Sequence, residues 1–239
     1  MALYVYAITG KGHPLHLDGL NGVGSHPSAV RAVTGGPLCA VVSDISEEIR
    51  PKRRDLQVHQ EVLERLMADA VVLPLQFGYI APDDQAVQQA LEDNTDGYLA
   101  TLDRLDGCAE YHVRASQADE DELLRQVLQD SPEARELNER IRAGEQDPQL
   151  PLALGEMVAR EVQERQHSLA AGLLQALIPY AREHVTRPPS SPDFLNLSLL
   201  VPDDRKGDFL AAQASLAAQI EEGVDFRFTG PLPPYSFVQ

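Results

Sequence analysis

Apolar and polar positions along the chain switch between two periods, and the switches mark out the elements. Leu3-Tyr4-Val5-Tyr6-Ala7-Ile8 is an apolar run closed by Thr9-Gly10, the signature of a buried strand at the N-terminus. Residues 10–28 then hold five glycines and two prolines with His13, His16 and His26, which predicts a long loop. Gly35-Gly36-Pro37 marks a turn, and Leu38-Cys39-Ala40-Val41-Val42-Ser43 a second strand. A helix is predicted from about Asp55 to Ala68, with Leu56, Val62, Leu63, Leu66 and Met67 near one stripe. Val71 to Gly78 reads as a third strand, in which Pro74 requires a bulge or an edge because it has no N–H to donate. Asp83 or Asp84 caps a helix running toward Leu91, a further helix covers about Asp96 to Leu105, and Gly107 closes it. Cys108 to Ala115 alternates as a half-buried strand should.

From Asp119 the pattern turns helical. Asp119-Glu120-Asp121-Glu122 places acids at a helix N-terminus, where the macrodipole favours them. Ser131-Pro132 opens a second helix that stops at Gly144, and a long helix is predicted from about Leu152 to His184, frayed by Pro179 near its end. Thr186 to Pro192 reads as a linker. Phe194 to Val201 alternates as a strand, a helix follows over about residues 205–221, and Val224 to Thr229 is a last strand. The pattern predicts an α+β fold in two units. Residues 1–115 form a ferredoxin-like sandwich with helices on one face of a sheet, and residues 116–239 form a helix-rich unit with a β-α-β element and a Pro/aromatic tail.

Composition narrows the functional classes. The chain has 239 residues, 43% of apolar type, and a formal net charge of −17. The acidic excess is shared by both halves, so it sets the field of the whole molecule and disfavours phosphate backbones and anionic lipid. No nucleic-acid or membrane partner is expected. No apolar run reaches the length of a bilayer span, and no basic-then-apolar leader is visible, which predicts a soluble cytoplasmic protein. Two cysteines, Cys39 and Cys108, supply neither a disulfide framework nor zinc-site spacing.

Candidate chemistry is sparse, and each group has a structural reading beside the functional one. His13, His16 and Asp18 would offer three metal ligands, but on a loop that fixes no geometry. Gly19, Gly22 and Gly24 match neither phosphate-loop fingerprint. Ser43, Asp44 and His59 lack the nucleophile elbow of a hydrolase. Cys39 and Cys108 lie in apolar strands, where thiols are small hydrophobes. The pairs Glu47-Glu48, Asp83-Asp84, Asp203-Asp204 and Glu221-Glu222 read as solvated turns and helix ends. No catalytic, cofactor-binding or metal residue is therefore assigned, and no cofactor is expected. Two features remain. Arg50, Lys52, Arg53 and Arg54 form a basic island that could dock an acidic partner. The rigid apolar tail, with Pro231, Pro234, Tyr235 and Phe237, would be adhesive if free, so it is expected to pack as a clasp on the chain's own core.

The tail carries a resemblance. Thr229 to Val238, reading Thr-Gly-Pro-Leu-Pro-Pro-Tyr-Ser-Phe-Val, resembles the close of the gas vesicle GvpL/GvpF family. Leu3 to Ile8, Leu38 to Ser43 and Val72 to Gly78 resemble its other landmarks in the same order, so the likeness spans nearly the whole chain. It departs at Leu232, where the family usually has Trp. The resemblance implies a non-enzymatic accessory protein of gas vesicle formation, located at the vesicle in the cytoplasm. Its implied partners are the small apolar shell protein and other vesicle accessory proteins. The alternative from the residues is a ferredoxin-like protein with a ligand or enzymatic site between sheet and helices.

Overall fold

The computed structural model describes residues 1–220 and 223–238, apart from the side chains of Glu120 and Asp121. Glu221-Glu222 and Gln239 lie outside the described residues. Contacts divide the chain into two units, one holding Met1–Tyr111, Leu200–Asp203 and Gly230–Gln239, the other His112–Leu199 and Asp204–Thr229.

In the first unit everything is arranged about β1 (Ala2–Gly10), whose residues 3–9 are all buried. It pairs antiparallel with β3 (Leu38–Ile45), which pairs with β2 (Arg31–Gly35). On its other side β1 meets two short edge strands, β4 (Leu73–Pro74) and β5 (Ile80–Ala81). The order β2-β3-β1-β4 puts Pro74 on an edge strand, where its missing N–H breaks no ladder. A register shift between Val5 and Ala7 leaves Tyr6 as the extra residue of a bulge. Tyr4, Tyr6 and Ala7 consequently join one core, with Val62, Leu63 and Leu66 of α1 (Arg53–Met67). Val5 and Ile8 face α2 (Asp84–Asp93) and α3 (Thr95–Leu105) instead. Cover on both faces explains the unbroken apolar run.

This unit departs from the ferredoxin-like expectation in two respects. The crossover from β1 to β2 is the glycine-rich loop rather than a helix, and helices lie on both faces. The loop is nonetheless built into the core. Leu20, Val23 and Val30 are buried, and a bridge joins Asn21 to Ala29. Val23 N–H donates to Tyr6 Oη at 3.0 Å, while Tyr6 Oη and Ser43 Oγ are 2.8 Å apart. Gly24 is held from both sides by α1: its N–H donates to Asp55 Oδ1 at 3.0 Å and its carbonyl accepts from Arg54 Nη2 at 2.6 Å. Burial pushes Asp55 up, but the Gly24 N–H and Arg54 outweigh it, so its carboxyl titrates below the usual range. The buried stripe of α1 is Asp55, His59, Val62, Leu63 and Leu66; Leu56, expected on it, is exposed.

The second unit contains β7 (Glu183–Thr186) and most of β6 (Cys108–Gln117), β8 (Asp193–Pro202) and β9 (Val224–Leu232), in the sheet order β7-β8-β6-β9. Its helices begin where the caps require. Asp119 accepts from Glu122 N–H at 2.9 Å to open α4 (Glu120–Asp130). Ser131 Oγ accepts from Ala134 N–H at 3.3 Å to open α5 (Pro132–Arg142), with Pro132 in the first turn. The long helix α6 runs Gln149–Leu177, shorter at its C-terminus than expected, because Pro179 turns Ile178–Tyr180 into a 3-10 turn. Arg205 Nη1 donates to the Pro179 carbonyl at 2.8 Å. β7 then occupies part of the expected helix and linker. α7 (Lys206–Gln219) buries Phe209.

A Cβ at Gly22 would lie 2.9 Å from Tyr6 Oη and closer still to the Ser43 side chain, whereas one at Gly12 meets nothing within 4 Å. Gly22→Ala is therefore expected to cost about 1–3 kcal/mol by overpacking, while Gly12→Ala leaves the urea midpoint nearly unchanged. Equal midpoints for the two variants would mean the loop is not seated on the sheet as described.

Candidate functional site

α1 carries His59 into the middle of the first core, where it is 3% exposed. Its Nδ1 lies 2.9 Å from Tyr4 Oη and its Nε2 lies 2.8 Å from Tyr235 Oη. Tyr4 Oη also accepts the Gly78 N–H at 3.1 Å. The neutral ring carries one N–H, so one ring nitrogen accepts from a tyrosine hydroxyl while the other is the donor. Tyr6, Phe77 and Tyr235 surround the imidazole, with ring centroids 5.7, 5.7 and 6.5 Å away. Burial drives His59 from its ordinary 6.5 down to about 4, against the Leu75 carbonyl, which favours the charged form. Burial also raises the hydroxyls of Tyr4 and Tyr235.

Tyr235 belongs to the tail, which makes further contacts inside the first unit. At Gly230 (φ +154) a Cβ would lie 3.0 Å from the Glu110 carbonyl, so only glycine fits the approach. Pro233, Pro234, Ser236 and Phe237 are buried, Tyr235 is half-buried and Pro231 is exposed. Ser236 donates twice to the buried Glu110 carboxylate, from N–H at 2.9 Å and from Oγ at 2.5 Å. Arg104 Nη2 donates to the Phe237 carbonyl at 2.5 Å. Neither Glu110 nor Arg104 was singled out from the sequence, because nothing near them in the chain points to a partner more than 120 residues away.

The other sequence candidates fall apart as constellations. His13 Nε2 lies 3.1 Å from the Leu66 carbonyl and its Nδ1 accepts from Leu15 N–H, while His16 pairs with Asp69 at 2.7 Å. Among the described residues no group of three His, Cys, Asp or Glu side chains could hold a metal. Ser43 is bound to Tyr6, Asp44 to Arg31 at 2.9 Å, and both ring nitrogens of His59 meet tyrosines. Asp83 caps α2, Asp84 pairs with Arg31 at 2.7 Å, Glu47 binds Ser25, and Glu48 pairs with Arg50. Cys39 is buried, which raises its thiol; Cys108 is half-buried. In the basic island all four side chains are exposed, but Arg54 is committed to Gly24 and Asp55 and Arg50 to Glu48.

Two concave surfaces stand apart from these contacts. In the first unit a hollow of about 250 Å³ lies between β1, α2 and α3, lined by Val5, Ile8, Leu75, Val87 and Tyr98. Tyr79 and Ile80 stand at its edge, 54% and 46% exposed. In the second unit a trough of about 720 Å³ runs between α6, α7 and the sheet. Among the described residues no helix is long and apolar enough to cross a membrane.

His59 gives a pH signature with a defined sign. Its folded pKa is depressed, so the unfolded chain binds the extra proton, and stability is fully present above pH 6.5. That stability is lost as pH falls to about 4, amounting to about 3 kcal/mol. Urea midpoints should fall across this window in the parent chain and fall much less in His59→Gln; parallel slopes would contradict a buried neutral imidazole. Phe237→Ala should cost about 3–5 kcal/mol and lower Tm accordingly. An unchanged Tm would place the tail off the core.

Residues 2–239 match the family described as gas vesicle synthesis protein GvpL/GvpF. Gas vesicle protein F of Streptomyces sp. (strain CB03234) is 43% identical over all of both chains. Gas vesicle protein L of the same organism is 29% identical, covering 98% of this chain and 91% of its own. The crystal structure of GvpF from Anabaena sp. PCC7120 superposes with a TM-score of 0.86 at 20% identity, covering 100% of this chain and 98% of that one. GvpF from Microcystis aeruginosa gives 0.80 at 21% identity, over 100% and 99%. With the family pattern matched over essentially its full length and a relative above two-fifths identity, the chain belongs to the gas vesicle GvpL/GvpF family.

Proposed function

We propose that this protein is a non-enzymatic accessory factor of gas vesicle formation that binds the small apolar shell protein and associates with other vesicle accessory proteins. The observation that carries the reading is the full-length family match. The geometry is compatible with it: Ser43, His59, Glu47, Asp83 and Asp84 are each held by hydrogen bonds or ion pairs within the fold. A carrier of an apolar client benefits from a net charge of −17, which keeps the loaded complex dispersed. The tail acts as an intramolecular clasp, so the docking surface lies elsewhere. The contact is placed on the first unit, at the edge marked by β5. There Tyr79 and Ile80 are exposed beside an apolar hollow, and an edge strand offers backbone for strand addition to the client. Arg50, Lys52, Arg53 and Arg54 form the rival surface.

The test uses the full chain, because residues 230–239 group with the first unit and a fragment ending at residue 115 would lack them. Capture of purified shell protein should be lost in Tyr79→Asp/Ile80→Asp and survive about 1 M salt, where charge contacts beyond about 3 Å are screened. Capture that persists in that variant but disappears with salt or on reversing Lys52 and Arg53 would move the contact to the basic island. No capture by the parent chain would overturn the function.

A further inference from the structure

The second unit leaves an apolar face uncovered. α6 has 29 residues but buries only Leu150, Leu173 and Leu177. Val158, Val162, Gln166, Leu169 and Leu173 lie at successive spacings of four, four, three and four, a single stripe on one face of the helix. That stripe lines two hollows of about 720 and 510 Å³, which share Gln117, Leu123 and Gln166 and so form one trough. From Val158 to Leu173 the trough follows α6 for about 22 Å, four turns of helix. Its opposite wall is Phe194 on β8, Leu216 and Ile220 at the end of α7, and Val224 on β9, all half-exposed.

Three observations define what would fill it. The walls are helix side chains and a sheet face rather than an open strand edge, which suits a helix in a groove and not an added strand. The volume is in the range of small-molecule sites, but such sites fix their ligand with buried polar groups. Here every polar lining residue is half-buried or exposed at the rim. The rim is acidic along α6: Glu161 and Glu164 flank a single lining cation, Arg165, already shared by Asp130 at 2.8 Å and Glu161 at 3.3 Å, while Asp193 is paired with Arg227 at 2.7 Å. A second copy of this chain, itself at −17, would meet that rim with like charge.

We infer that this trough is the docking site for a basic amphipathic helix of a protein partner, its apolar stripe on Val162, Leu169, Phe194 and Leu216 and its Lys or Arg flank over Glu161 and Glu164. The site is distinct from the client contact placed on the first unit, and its test does not depend on the shell protein. The probe is a fluorescein-labelled helix of about 18 residues made of Leu and Lys, read by anisotropy against the full chain. Controls are a scrambled peptide of the same composition and a Leu/Glu analogue. The amphipathic Lys peptide should bind at least about tenfold more tightly than either control.

Two variants locate the binding. Glu164→Lys, at an exposed rim position, should weaken binding about fivefold at low salt, the difference shrinking as salt is raised. Gly172→Trp should cost more than about tenfold by filling the trough; Gly172 lines it, and a Cβ there meets nothing, so the helix tolerates the change. Circular dichroism confirms that both variants fold. Equal affinity for the scrambled peptide, preference for the Leu/Glu analogue, or unchanged binding in both variants would overturn the proposal. So would sedimentation showing a dimer that Gly172→Trp dissolves, because the occupant would then be a second copy.

Discussion

A single imidazole ties the first unit together. His59 bridges a tyrosine on the central strand to a tyrosine in the last five residues of the chain, 176 positions away from it. Closing so long a connection costs conformational entropy, and the contact must return that cost through burial and well-formed bonds. It does so by concentrating them. The aromatic packing of Tyr4, Tyr6, Phe77 and Tyr235 around the ring, the double donation of Ser236 to Glu110, and the Arg104 bond to the Phe237 carbonyl all lie within the first unit. Ser236 supplies two of the donors that the buried Glu110 carboxylate needs, so tail and core depend on one another.

The same logic accounts for the glycine-rich crossover. A loop of that length would ordinarily lie on the surface with water completing its backbone bonds. Here Tyr6 and Asp55 complete them, and Gly22 lets the backbone come close enough for the Tyr6 hydroxyl to serve Val23. Tyr6 shares the face of Tyr4 by strand alternation, and the bulge brings Ala7 to that face and sends Ile8 to the side of Val5. One extra residue in one strand thus decides which side chains meet the loop and which meet α2.

Much of this was legible in the sequence where a local signal existed. Strands β1, β3 and β8 stand out as apolar or alternating runs, and local chemistry marks helix starts: a cap at Asp83 or Asp84, the acids from Asp119, and Pro132 after Ser131, where the structure shows Asp83, Asp119 and Ser131 as the caps. β2 and β7 were invisible because they are short and carry too little apolar alternation to outweigh the glycines or charges beside them. The end of α6 was misplaced because the apolar pattern continues past Pro179 even though the helix cannot. In the core the tail's composition announced an adhesive segment, but its receptor did not announce itself. One signal could have found it. Asp55 and His59 stand at positions i and i+4 with Val62, Leu63 and Leu66, so α1 presents a carboxylate and an imidazole on its buried stripe, where each must find a partner.

The most direct test of this picture is the titration of His59 by nitrogen and carbon NMR in the full chain. A ring held between Tyr4 and Tyr235 should remain neutral in one fixed tautomer and titrate near pH 4. An imidazole that exchanges between tautomers and titrates near its ordinary 6.5 would contradict it, because the tail would then have no fixed anchor in the core.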